Sequence, residues 1–122
     1  MLLQINPLLD VKYLNQVYGD DATIIHLIFD AFISDSLPRW NNLEIALKEN
    51  NMVEAASIVH GLKPSFTMAG LTNLRTKVDA LELAIKENTD IEILRSSYQK
   101  ISDELRPLIP VLESESKRLA HL

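Results

Sequence analysis

Apolar side chains recur at three- and four-residue spacing through almost the whole chain. Alternation of the kind a half-buried strand requires is absent. Ile24, Ile25, Ile28 and Phe32 mark one such stripe, continued by Leu43, Ala46 and Leu47. Ala55, Ala56, Val59 and Leu62 mark another, Leu71, Leu74, Val78, Leu81 and Ile85 a third, and Ile91, Leu94, Tyr98, Ile101 and Leu105 a fourth. Stripes of this period are buried only by packing helix on helix. Only 3 glycines interrupt the 122 residues, so positive-φ turns are few and helix propensity is high nearly everywhere. The expected fold class is all-α: an up-down-up-down four-helix bundle with a short extra N-terminal helix, residues 1–122 forming a single helical domain.

Punctuation sets the expected boundaries. Asp10 can cap a first helix that ends at Gly19, with Leu9, Tyr13, Leu14 and Val17 as its apolar side. Pro38 falls inside the second helical segment, between Phe32 and Leu43, where it removes a hydrogen bond and crowds a carbonyl, predicting a kink near Ser34 to Leu37. Asn51 with Glu54, and Thr89 with Glu92, have the spacing of capping boxes for the third and fifth helices. Breaks are expected at Ala69-Gly70 and Asn88. Beyond Pro107 and Pro110 the pattern is consistent either with a helix continuing past a kink or with a separate frayed turn.

Composition narrows the function. The net charge is −5 and the longest basic run is Lys117-Arg118, so a phosphate-backbone footprint is hard to build and nucleic acid is not an expected partner. No apolar run reaches membrane-spanning length, and MLLQINPLLD has neither a basic start nor a small-residue cleavage site; a cytoplasmic location, with no membrane partner, is expected. Without cysteine there is no disulfide, thiolate or Cys-type zinc chemistry. His26, His60 and His121 are too scattered to suggest one metal site, and no Gly-rich phosphate loop or Gly-x-Ser-x-Gly elbow occurs. His26 reads as a core-edge residue and His121 as part of the chain end. Trp40, Phe29 and Phe32 read as packing.

His60 has a different setting. Val59 and Leu62 are expected inside, which turns the imidazole outward, with the small or ring-closed residues Ala56, Gly61 and Pro64 around it. Lys63, three residues on, shares its face and brings positive charge.

The run His60-Gly61-Leu62-Lys63-Pro64-Ser65, with Gly70 ten positions after the histidine, resembles the His-x-Leu-Lys-(Gly or Pro)-Ser signature of histidine-containing phosphotransfer (HPt) domains. The likeness extends to the acidic-capped first helix, Phe32 and Pro38, Ala46-Leu47 before a polar turn, and Leu81-Glu82. The resemblance implies a phosphorelay intermediate: His60 is the phosphoacceptor, taking its phosphoryl group from a receiver-domain phosphoaspartate and passing it to another receiver. Lys63 would stabilise the phosphoryl oxygens, and Glu82 would accept the ring's Nδ1 hydrogen so that Nε2 is the nucleophile. Response-regulator receivers or a hybrid histidine kinase are the implied partners. Mg²⁺ is expected on the receiver, with no cofactor or metal held by this chain. Gly61, Pro64 and Met68, together with Leu62, are candidates for the partner-facing surface between the third and fourth helices, and free access to it implies a monomer.

Two departures bear on that likeness. Pro64 stands where glycine is frequent and predicts a kink or an end of the helix beside the histidine; Phe66 is bulkier than usual and is assigned to packing. Two readings compete with relay function. One is a helical adaptor binding receivers or kinases without phosphotransfer; the other is the dimerisation and phosphotransfer segment of a sensor kinase, which places an acidic residue where this chain has Gly61. An enzyme with its own small-molecule substrate, or an ATP-dependent one, has no legible support in the residues.

Overall fold

The computed structural model describes residues 3–122 and contains only helices and turns among them. A short helix α1 (Val11–Tyr18) precedes a rod made of α2 (Ala22–Ala31), one π-helical turn (Phe32–Ser36) and α3 (Leu37–Lys48). Then come α4 (Met52–Met68), α5 (Thr72–Lys86), α6 (Ile91–Leu105) and α7 (Leu108–Ala120). Helices α3, α4, α5 and α6 close a ring of contacts, α3 on α4, α4 on α5, α5 on α6 and α6 back on α3, which is the four-helix bundle. The outer half of the rod, α2, extends past this ring and is covered by α7.

The bundle core is aromatic at the level of the C-terminal half of α4. Phe66 meets Phe32 and Trp40 edge-on, with ring centroids 5.3 and 5.6 Å apart, and Trp40 stacks on Tyr98 at 4.8 Å. The polar edges of these rings are satisfied: Trp40 Nε1 donates to Ser102 Oγ at 3.0 Å and the Tyr98 hydroxyl to the Trp40 carbonyl at 3.0 Å. Ala55, Ile58, Val59, Leu62 and Phe66 form the buried stripe of α4, which fixes that helix's rotation and so decides which residues it shows to solvent. Phe66 is packing, as its sequence context suggests.

Pro38 does not break the rod. The turn before it is wound wider, with the Leu37 amide reaching back five residues to the Phe32 carbonyl, and Pro38 falls at the start of α3 where a missing donor is tolerated. Pro64 neither ends nor interrupts α4, which stays α-helical to Met68, contrary to the expected kink or end. Arg75 Nη1 reaches the neighbouring Lys63 carbonyl at 3.1 Å and Thr67 Oγ1 at 2.8 Å, bracing the turn that the proline weakens. Pro107 and Pro110 occupy the cap and first turn of α7, where proline fits. The chain end is therefore a packed helix, with Leu112 and Leu119 buried, and not a frayed turn.

Other boundaries differ in detail. Asp10 caps α1 and Gly19 stops it at φ +60°, but Val17 and Ile24, both expected on apolar sides, are exposed. Asn51 caps α4 through the Glu54 amide while its own amide goes to the Ala46 carbonyl, so the reciprocal half of the capping box is not formed. The cap of α6 is Asp90, accepting from the Glu92 amide at 2.8 Å, one residue later than Thr89. Helix α1 clasps the far end of α4: the Asp10 amide donates to the Gly70 carbonyl, Thr72 Oγ1 to Asp10, and the Tyr18 hydroxyl to the Met68 carbonyl. Gly70, at φ +76°, lies so close to Leu14 that a β-carbon there would come within 2.9 Å of it.

Candidate functional site

With Val59 and Leu62 fully buried, the α4 backbone turns His60 outward, and its side chain is 72% exposed. The ring is nevertheless anchored. Glu82, from the C-terminal half of α5, places Oε2 2.9 Å from His60 Nδ1 and accepts its hydrogen. The Glu82 side chain is only 8% exposed, so it is not a surface carboxylate. Its other oxygen, Oε1, accepts from Lys63 Nζ at 2.6 Å, and Lys86 Nζ stands 3.5 Å from Oε2. Lys63 also lies 3.7 Å from Asp79 Oδ1, which pairs with Arg75.

The carboxylate is buried and yet ionised. Burial alone would raise its pKa; hydrogen bonds from Lys63 and His60, with the positive charge of Lys63 and Lys86, outweigh that and hold it below the ordinary glutamate range. A carboxylate accepting from Nδ1 selects the tautomer whose lone pair is on Nε2, on the solvent side of the ring. Chemically such an arrangement can present an oriented ring nitrogen to an electrophile, with a counter-ion already in place for a cation formed by substitution at Nε2.

The structure thus brings His60, Lys63 and Glu82 together, with Gly61 and Pro64 exposed beside them. It does not leave Lys63 free: the ammonium is committed to Glu82 and only 20% exposed. Leu62 is fully buried, so it is core and not part of a partner-facing surface. Met68 is exposed, but its exposed apolar neighbours are Ile24 and Leu27 of α2, around a shallow groove of about 220 Å³ shared with Ser65 and Phe32. The apolar groove that includes Met68 therefore lies toward the rod and not toward α5.

Sequence reading missed Arg39, the third residue of α3, whose guanidinium lies across Gly61. The available signal was a glycine in the middle of a helix, where it costs about 1 kcal/mol relative to alanine and implies something passing close by. Its approaching partner, twenty-two positions upstream, could be known only from packing.

His26 and His121 stay outside this site. His26 Nδ1 meets the Ser116 carbonyl at 3.0 Å and Oγ at 2.8 Å between α2 and α7, and His121 caps the exposed end of α7. Among the described residues no set of three or more His, Cys, Asp or Glu side chains is arranged to hold a metal ion, and no helix is long and apolar enough to cross a membrane.

Comparison with curated proteins and with solved structures returned no match for the chain. A family model does match: the Hpt domain, over residues 28–115, from the middle of α2 to α7 and including His60 and Glu82. That span is well over half of the 122 residues, and its bundle is the one described above. The chain belongs to the Hpt domain family, the modules of histidine phosphotransfer in two-component phosphorelays.

Proposed function

We propose that His60 is the phosphoacceptor, and that the chain takes its phosphoryl group from the phosphoaspartate of a receiver domain and passes it to another receiver. One observation carries this reading: an imidazole held at Nδ1 by a buried, ionised carboxylate, with the rest of the ring in water. In the forward step the Nε2 lone pair attacks phosphorus in line, the N–P bond forms, the P–O bond to the receiver's aspartate breaks, and the electron pair leaves on that carboxylate. The Nδ1 proton stays where it is, facing Glu82, whose charge balances the ring.

In this reading Glu82 orients the ring and Lys63 holds Glu82 in place. Gly61 and Pro64 keep the approach low, and Met68 with the α2 groove offers apolar contact to the receiver. Mg²⁺, which phosphoryl transfer from an aspartyl phosphate calls for, belongs to the receiver's acidic pocket. The chain acts as one cytoplasmic, monomeric domain that is charged and discharged stoichiometrically, without turnover or ATP use of its own. A hybrid kinase's receiver and a response regulator are the proposed partners, with neither nucleic acid nor membrane involved.

The test is a transfer assay. The wild-type protein mixed with a radiolabelled phospho-receiver is expected to gain acid-labile, base-stable phosphate, His60→Gln to gain none, and the protein with labelled ATP alone to stay unlabelled. No label on the wild type would leave the adaptor reading; label from ATP alone would favour the kinase segment.

A further inference from the structure

Lys63 and Lys86, the cations on the α5 side of His60, both face Glu82. At about 100° per residue, Gly61 lies on the opposite flank of α4 from Lys63, with His60 between them. That flank is occupied by Arg39. A β-carbon built on Gly61 would stand 2.5 Å from Arg39 Nη2 and 3.5 Å from Cζ, so the guanidinium lies where a side chain would otherwise be. Gly61 has an ordinary negative φ and is not needed for backbone conformation; what it provides is clearance. Arg75, Arg106 and Arg118 each pair with a carboxylate, whereas Arg39, like Arg95 on α6, has no carboxylate within ion-pair distance among the described residues, and of these two Arg39 is the one beside His60's own helix at Gly61.

The ring's orientation adds direction. Because Nδ1 faces Glu82 on α5, Nε2 points to the other side, away from the Glu82-Lys63 pair. We infer that Arg39 is the residue that contacts the phosphoryl group carried on Nε2 of His60, and that Gly61 is small to let its guanidinium reach there. The inference rests on His60 being the phosphoacceptor and places a cation on the flank of the ring opposite Lys63 and Glu82. A guanidinium suits it: a planar fork donating two parallel hydrogen bonds to phosphoryl oxygens, with no proton surrendered in the step.

The experiment compares transfer from a labelled phospho-receiver to the wild type, Arg39→Ala, Arg39→Lys, Gly61→Ala and the Arg39→Ala/Gly61→Ala double variant, with thermal melts to establish folding and ³¹P spectra of each phosphorylated protein. Arg39→Ala is expected to lower the maximal transfer rate about tenfold, the scale of one charge-assisted hydrogen bond, and to shift the phosphohistidine resonance; Arg39→Lys should recover part of both. Gly61→Ala displaces a flexible side-chain end, so it should fold, slow transfer when Arg39 is present, and add nothing in the double variant. A wild-type maximal rate and unshifted resonance in Arg39→Ala overturn the inference while leaving His60 as acceptor. So does a defect confined to half-saturating receiver concentration, which makes Arg39 a docking residue, or a Gly61→Ala effect that persists without Arg39. If the wild type takes no label on His60, both readings fall together.

Discussion

His26 and His60 begin alike: each donates Nδ1–H to an oxygen on a neighbouring helix, Ser116 of α7 in one case and Glu82 of α5 in the other. They differ at the second nitrogen. His26 Nε2 stands 3.6 Å from Asp30 Oδ2 on its own helix and the ring is 25% exposed, whereas the His60 ring is 72% exposed and has no bond to Nε2 among the described residues. Around His26 even the residue types of a hydrolase are present, but Ser116 is buried and its hydroxyl donates to Asp30 Oδ1 at 2.7 Å, so there is no proton for the imidazole to take and no room for a substrate. One imidazole is a fastener between α2 and α7; the other is a ring held at one nitrogen and open to water at the other. Which nitrogen the fold leaves unbonded separates them, more than which residue type is present.

That contrast is breakable by exchanging losses. The largest expected effect is His60→Gln: phosphoryl acceptance from a phospho-receiver abolished, with a melting curve close to wild type because the side chain is mostly in water. His26→Gln should do the reverse, and a His26 variant that folds yet accepts no phosphate would end the distinction. Next in size, Glu82→Gln should slow transfer about tenfold, since the ring loses a charge-assisted hydrogen bond and Lys63 its counter-ion; rapid-quench kinetics would measure it, and an unchanged rate would make Glu82 structural only.

Smaller is the stability cost at the fastener. Loss of the His26 bonds to Ser116 should destabilise by about 1 kcal/mol, read as a fall in Tm of about 3–6 °C. A melt identical to wild type would show that apolar packing alone holds α7 on α2. Smallest is a pH effect. The Glu82 pKa is depressed on folding, so its contribution to stability is complete above its ordinary value near 4.5 and is lost as pH falls through the lower folded value. Urea unfolding from pH 5.5 down to 3 should therefore show a shallower loss in Glu82→Gln than in wild type; parallel curves would contradict an ionised, paired Glu82.

Local pattern made most of the bundle legible. Stripe spacing located the helices, and Val59 and Leu62 on α4 were enough to turn His60 outward. The resemblance of the His60 to Ser65 run then pointed to Lys63 and Glu82. What failed was long-range. Leu62 is core, as its helical period with Val59 dictates, and not a surface contact, while Val17 and Ile24 are apolar residues left about half exposed. The packing of α7 on α2 and the reach of Arg39 over Gly61 join positions far apart in sequence, and no propensity or spacing encodes them. Lys63 shows a subtler gap: its position was legible, but its allegiance depended on Glu82 being buried.

The wide turn at Phe32–Ser36 makes this stretch of the rod the one with slack in chain length. It accommodates one residue more than an α-helical turn, so removing a single residue there would wind it back to regular helix with the upstream faces nearly in register, whereas a deletion in regular helix rotates everything upstream by about 100°. Without that slack the same deletion would swing Ile25 and Phe29 out from under α7 while Trp40, Leu43 and Leu47 stayed in the bundle. Homologous chains should accept a single-residue deletion across 32–36 more readily than one elsewhere in the rod, and a deletion scan would find its most tolerant point at the wide turn.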